Sequence, residues 1–478
     1  MQIPANARQN FYRPRSRRKI DRVRAMVLVV AAGCGRIGFD VADADAGSGG
    51  PRHVASTLIN PAGDLRLCRI AIDGGGNLFA VGESRSVVDV GGGALPFAGL
   101  TDVVVASYRP DLGHRWSFAF GGPSTDSCAA IDSAGDRLVV QAQAEGDVDV
   151  SGQLVTGFGA DDSLVAELEP ATGAPLWARA YGGPTDDDFG RGLDVEAAAG
   201  GPVHVTMACN GTVDFGGGPV AGFGGRDACR LRLDATGAVT FVDRRGGPDF
   251  DAGRGVARAA TGELYVAGEA SSGADLGAGP IVAAGRDVFV IAFEPGGGVR
   301  WVRTFGSAGD DEVELVETGA AGEVYIAGSV AGPASVAGRT IGGRGGEDAY
   351  LVRFDPDGTA RWVVDFGGVG DDDVESIALR GPALYATGTF TEGAELAGTA
   401  RSVVGGIDAF LARLDTDGTW RWALVAGSPA DDAGTGVAAA TTGPLWFAGF
   451  TGGPIDLGGG VLVPGGAAAS FVVRLDDG

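Results

Sequence analysis

"DAFLARLDTDGTWRW", Asp408 to Trp422, joins two runs of strand-forming residues through "DTDGT". In such a turn Asp accepts backbone N–H bonds and Gly supplies a positive φ, so the stretch reads as a β-hairpin. "DPDGT" after Phe354 repeats the turn, and "G-x-LYVAG" lies upstream of both. The unit "G-x-LYVAG … DAFLARLD-x-x-G-x-x-RW" recurs seven times between residue 53 and the C-terminus. Its aromatic markers Trp116, Trp177, Phe241, Trp301, Trp362 and Trp422 stand 61, 64, 60, 61 and 60 residues apart. A fixed period of this size marks a repeat architecture in which each unit buries its apolar face against the next.

One period, Gly253 to Phe305, holds four short strand candidates, "GRGVARAA", "ELYVAGEA", "DVFVIAFE" and "VRWVRTFG". None has helical length or periodicity, and turn residues bound each one. Named A to D, four antiparallel strands per repeat make a propeller blade. Strands A, B and C occur seven times, but the last repeat stops at "FVVRLDDG" with no strand D after it. "HVASTLIN", His53 to Asn60, occupies the D position ahead of the first strand A. The expected fold is therefore all-β: a single seven-bladed β-propeller of four-stranded antiparallel blades. The N-terminal strand pairs with the last three, which hides two sheet edges.

The motifs "FGGVGDDDVESIA", "LYVAG" and "DAFLARLDTDG" resemble the bacterial seven-bladed β-propeller repeat family of secreted and lipid-anchored proteins. The resemblance implies the fold and an exported location. It implies no activity, because propellers host many unrelated ones.

Composition narrows the partners. Of 478 residues 86 are Gly and 45% are hydrophobic, which suits apolar strands separated by frequent turns. A formal charge of −24 argues against nucleic acid, whose phosphates need a basic footprint. Charge is uneven: residues 1–33 carry eight Arg or Lys against Asp21 alone and run into "AMVLVVAAGC". A basic stretch followed by a short apolar run ending in small residues is the layout of a secretory signal. Ala31-Ala32-Gly33-Cys34 resembles a lipoprotein lipobox, with Ala31 where Leu is usual and Cys34 as the residue to be lipidated. The expected organisation is a signal peptide at 1–33, a flexible acidic tether at 34–52 and the propeller at 53–478. Contact with the membrane is expected only through the lipid anchor.

An acidic turn opens nearly every blade: Asp186-Asp187-Asp188, Asp249 with Asp251, Asp310-Asp311, Asp371-Asp372-Asp373 and Asp431-Asp432, and more weakly Asp126 and Asp64. Strand parity puts the Asp at the start of strand C on the same face (Asp102, Asp162, Asp227, Asp287, Asp348 and Asp408), with Ala469 in the last blade. Several carboxylates on one face are the ligand chemistry of calcium, although their spacing departs from the alternating Asp loop. The competing expectation is that these Asp cap turns by accepting backbone N–H bonds.

Cys209 and Cys229 fall in neighbouring strands of the third blade, where a disulfide is expected in an oxidising compartment. Cys68 and Cys128 sit at equivalent positions of the first two A strands, a separation that strains the Cα limit of about 7 Å. The marker Trp residues are expected to pack between blades, leaving Trp420 and Trp446 as the more exposed aromatics, with burial the alternative for Trp446 because it sits in strand B. His53, His114 and His204 carry nothing around them that resembles an activated nucleophile. "LEPATGAPLW" and "LDATGAVTF" resemble the tryptophan repeat of quinoprotein dehydrogenases, but the adjacent Cys pair of many of those is absent. The sequence thus points to a monomeric, non-catalytic binding or scaffolding ring for a protein or carbohydrate of the envelope. The alternative is an envelope hydrolase or lyase using carboxylates or metal at the channel mouth. The third blade, with its longer "PTDDDFGRGLDVEAAAGG" segment and two Cys, departs furthest from the repeat.

Overall fold

The computed structural model describes residues 42–43, 50–60, 64–159, 161–184 and 190–477. The expected signal peptide at 1–33, Cys34 and Asp186 to Asp188 lie outside the described residues, as does most of the expected tether.

All regular structure among the described residues is strand. In order A to D, blade one holds Leu65–Ile72, Leu78–Ser84, Asp102–Tyr108 and His114–Phe120. Blade two holds Ser127–Ala134, Arg137–Glu145, Asp161–Leu168 and Pro175–Tyr181. Blade three holds Gly190–Val195, Val203–Asn210, Arg226–Leu233 and Val239–Arg245. Blade four holds Asp251–Arg258, Leu264–Ser271, Arg286–Phe293 and Val299–Phe305. Blade five holds Glu312–Thr318, Val324–Val330, Asp348–Phe354 and Ala360–Phe366. Blade six holds Asp373–Arg380, Ala383–Phe390, Asp408–Asp415 and Trp420–Ala426. Blade seven takes A, B and C from Asp432–Ala439, Leu445–Thr451 and Ala469–Asp476, and D from Arg52–Ile59.

That last strand pairs antiparallel with Ala469–Asp476, from Arg52 opposite Asp476 to Ile59 opposite Ser470, as the strand count requires. Strand A of each blade lies beside strand A of the next all the way round, the seventh against the first. Strands B and C are covered on both faces by neighbouring blades and read as near-continuous apolar runs. Strand D, at the perimeter, alternates: in Val299–Phe305 only Trp301 and Phe305 are buried.

Three features go beyond the sequence reading. Each Gly-rich B-to-C connection folds back on itself as a small hairpin or bridge, such as Val148–Val150 against Gln153–Val155. In four of them one Asp carboxylate (Asp89, Asp214, Asp275 or Asp456) accepts N–H bonds from two glycines. Every strand A also carries a one-residue bulge against strand B, at Cys68, Ala129, Arg191, Arg254, Glu314, Glu375 and Thr435. Finally, Ala42 and Asp43, within the expected tether, pair with the outer strand of blade six.

The marker Trp residues link blades. Trp116, Trp301 and Trp362 donate their indole N–H to Pro170, Pro356 and Thr416 carbonyls in the C-to-D turn of the following blade. A Cβ on the turn glycine Gly358, whose φ is +80°, would sit 2.7 Å from the Trp301 ring, so Gly serves both the turn and the approach. Trp422 donates to Asp477, while Trp177 turns to Glu167 in its own blade. Phe241, which has no donor, is 42% exposed. Of the two Trp residues outside the marker register, neither is fully exposed. Trp446 lies in an inner strand and is fully buried, and Trp420 is half-buried against Phe366.

Candidate binding site in the central channel

The A strands line the axis, so their side chains decide what the channel can hold. The first residues of each A strand lie toward the face carrying the D-to-A and B-to-C loops, and the last residues toward the other. Near the first face, carboxylate oxygens of Glu314, Asp373 and Glu375 all lie within 4.8 Å of one another. Arg69 of blade one reaches across to them, with Nη2 3.0 Å from Glu314 and Nη1 3.7 Å from Glu375. Burial, reinforced by Glu375, Glu314, Glu312 and Glu347, pushes the Asp373 carboxyl well above the usual carboxylate range. Toward the other face stands a second acidic group. Burial first, then Asp132, raises Asp194 to about 7, while burial, Asp132 and Asp194 raise Glu317 to about 8. The channel is therefore acidic at both levels, and Arg69 bridges its upper level.

The triple Asp371-Asp372-Asp373 divides into three environments. Asp371 Oδ1 accepts the Glu347 N–H at 3.0 Å and so caps the start of strand C. Asp372 is fully buried and accepts the N–H groups of Gly368 (2.7 Å) and Thr391 (2.6 Å). Asp373 begins strand A in the channel mouth. Asp310 and Asp311 repeat the first two roles: Asp310 accepts from Arg286, and Asp311 accepts from Ser307 and Ala331. Asp432 accepts from Ser428, and the Asp431 carbonyl takes the Gly452 N–H. Asp126 and Asp251 occupy the same buried position as Asp372. Asp64 does not. Leu65 fills that position in blade one, and Asp64 stands 4.0 Å from Arg66.

Cys209 and Cys229 are joined by a disulfide with Cα atoms 6.0 Å apart, and Cys68 and Cys128 by another at 6.3 Å. The second pair corrects the assumption of equivalent positions. Cys68 is the bulged residue of its strand whereas Cys128 precedes the bulge of its own, and that offset brings them within reach. His204 is buried, and burial with Arg230, Arg232 and Arg258 lowers it to about 3. His53 and His114 place their Nε2 atoms 3.1 and 3.0 Å from the Ser56 and Ser117 hydroxyls, contacts that the sequence reading did not foresee. This arrangement occurs at matching perimeter positions of two blades, where Gly459 and Gly92 pack on the imidazoles. Away from the channel, a groove of about 810 Å³ between blades two and three is lined by Leu154, Phe158, Tyr181 and Phe215. Leu154 and Phe158 are largely exposed there.

No family model matches the chain. A stretch of 188 residues is 27% identical to the regulatory protein FlaEY of Caulobacter vibrioides, covering 37% of this chain and 19% of that protein. The chain thus spans about a fifth of the length of the curated relative it matches. Among solved structures, BamB from Moraxella catarrhalis is similar at a TM-score of 0.39 and 13% identity, over 89% of this chain and 99% of the other. A protein of unknown function from Dyadobacter fermentans gives 0.43 and 10%, over 89% and 99%. The polysaccharide lyase Uly1 also gives 0.43 and 10%, over 89% and 92%. The strand pairing of this chain, rather than these distant likenesses, establishes its seven-bladed propeller fold.

Proposed function

We propose that the chain is a non-catalytic binding or scaffolding propeller displayed on the bacterial cell envelope. In this reading it is exported, lipidated on Cys34 and monomeric, and it takes a protein or carbohydrate partner that presents a cationic group to the channel mouth. The observation that carries the reading is the cluster of Glu314, Asp373 and Glu375, three carboxylates within 4.8 Å of one another and facing Arg69. Excess negative charge in a walled recess focuses potential toward cations, and the rigid blades hold the recess in place. Calcium and a Lys or Arg side chain share the required chemistry.

Titration calorimetry of the full chain with an arginine-rich peptide, with calcium and with magnesium separates these ligands. Glu375→Gln is expected to weaken the preferred one about tenfold, the loss of one charge-assisted contact of roughly 1.4 kcal/mol. Equal affinity of wild type and Glu375→Gln for all three would overturn the reading.

The high pKa of Asp373 beside Glu375 favours one alternative, because a protonated and an ionised carboxyl side by side can serve as general acid and base. An envelope hydrolase or lyase of this kind would release new chain ends from envelope polysaccharide, and Asp373→Asn would abolish that release.

A further inference from the structure

The Asp that begins strand C is buried in six blades: Asp102, Asp162, Asp227, Asp287, Asp348 and Asp408 are each no more than 8% exposed. In all six, Oδ1 is enclosed and accepts no hydrogen bond. Burying a carboxylate oxygen with no donor is costly, so a sixfold recurrence calls for a cause. The nearest feature is the second buried Asp, at the start of strand A in the following blade. A Cβ on Gly121 would lie 2.7 Å from both Asp102 Oδ1 and Asp126 Oδ2. One on Gly246 would meet Asp227 Oδ1 and Asp251 Oδ2, and one on Gly306 would meet Asp287 Oδ1 and Asp311 Oδ2. Asp348 with Asp372 and Asp408 with Asp432 complete the series, while the partner of Asp162 lies outside the described residues.

The other oxygens are already occupied. Asp102 Oδ2 accepts the Ala98 N–H at 2.8 Å, and Asp126 accepts those of Gly122 and Glu145 at 2.7 and 3.2 Å. Asp408 Oδ2 accepts Val404 N–H at 2.8 Å, and Asp432 accepts the Ser428 N–H and hydroxyl at 2.6 and 3.1 Å. With three of four oxygens taking donors, each pair offers a divalent cation one free ligand among several positive dipole ends. That donor set does not suit calcium, which takes six to eight oxygens. A proton needs only the one oxygen. The seam between blades seven and one supports treating the two residues as a unit, for Ala469 and Leu65 replace both at once.

We propose that the carboxylate pairs between blades that carry no neighbouring cation, Asp102 with Asp126, Asp287 with Asp311 and Asp408 with Asp432, are proton-binding sites: one proton resides on Oδ1 of the strand C Asp and is donated to the strand A Asp of the next blade. The chemistry is that of two close carboxylates sharing a single proton. Burial, with the partner carboxylate contributing, raises Asp126, Asp251, Asp287, Asp372 and Asp408 to about 6. Other charges also face the pairs. Glu145 lies against Asp126, Asp249 against Asp251, Asp310 and Tyr350 against Asp311, and Asp431 against Asp408. Two pairs carry a cation: Arg244 bonds Asp227 at 2.6 Å, and Arg344 Nη1 stands 3.5 Å from Asp348 Oδ1. The least encumbered pairs are Asp102 with Asp126, Asp287 with Asp311, and Asp408 with Asp432.

The folded-state pKa of these pairs is raised, so their protons stabilise the ring fully below the unfolded carboxylate pKa of about 4, and the contribution is lost as pH rises through about 6. Asp408→Asn supplies an amide N–H where the proton would sit. The test measures urea stability of the full chain from pH 5 to pH 8 for wild type, Asp408→Asn and Asp102→Asn. It adds infrared detection of protonated carboxyl groups at pH 5 in heavy water, where a pair titrating at about 6 holds its proton. Each variant is expected to lose about one proton of uptake on folding and to match or exceed wild-type stability at pH 8. Its folded state should show a weaker carboxylic-acid band. The proposal is overturned if both variants keep the wild-type pH slope, if the folded protein has no such band, or if calcium raises wild-type stability at pH 8 and either Asn substitution abolishes the rise.

Discussion

The junction between blades six and seven and the seam between blades seven and one meet the same packing demand differently. At the junction, Asp408 and Asp432 face each other from strands close in sequence. At the seam, Leu67 and Ser470 are 403 residues apart, and a single hydroxyl links them. It accepts the Leu67 N–H at 2.9 Å and donates to the Leu65 carbonyl at 2.8 Å. The flanking Leu65 and Ala469 are apolar and buried. Where contact is local, loop closure costs little and buried polar pairs are tolerated. Where the two ends of the chain must find each other, apolar burial and a backbone ladder carry the closure.

The sharpest way to break the comparison is to remove residues 50–60. This leaves Ala469–Asp476 as an open edge and uncovers Phe471 and Val473, so cooperative melting should be lost and the protein should elute as aggregates on size exclusion. Next comes Trp422→Ala, which empties a buried site and leaves Asp477 without its indole donor. Chemical denaturation should record a loss of roughly 3–5 kcal/mol. Ala469→Asp places a carboxylate against Leu65 with no partner and should cost roughly 2–4 kcal/mol at pH 8, and less at pH 5.5, where it can protonate. Adding Leu65→Asp should recover part of the loss at pH 5.5, where the two carboxyls can share a proton, and not at pH 8; a double-mutant cycle at each pH reads the coupling. The smallest effect belongs to Phe241→Ala, since that ring is 42% exposed, and should stay below about 1 kcal/mol.

Much of the ring was legible because its signals are local. The sixty-residue period, the Asp-Gly turns and the displaced strand at His53 to Asn60 suffice to count and close seven blades. The common face of the two Asp sets follows from strand parity alone. What escaped depends on curvature or on one-residue offsets. Nothing in Asp371-Asp372-Asp373 marks which Asp caps, which is buried and which faces the channel, because alternation of the strand sorts chemically identical residues. The bulges at Cys68 and Glu314 have no sequence marker, so neither the approach of Cys128 nor the reach of Arg69 to Glu314 across the ring was visible. The B-to-C hairpins hid behind their glycines. There the alternation in "VDVSGQLV" was the available signal, and Asp149 accepting the Gly152 N–H is its consequence.

The indole contacts give the ring a direction. Where the pattern holds, each blade extends a hook, its Trp, and offers an eye, its turn glycine and carbonyl, to the blade before it. Blade five, cut from one D-to-A loop to the next, carries one of each, so a second copy of it set beside the first would leave no fastener unmatched.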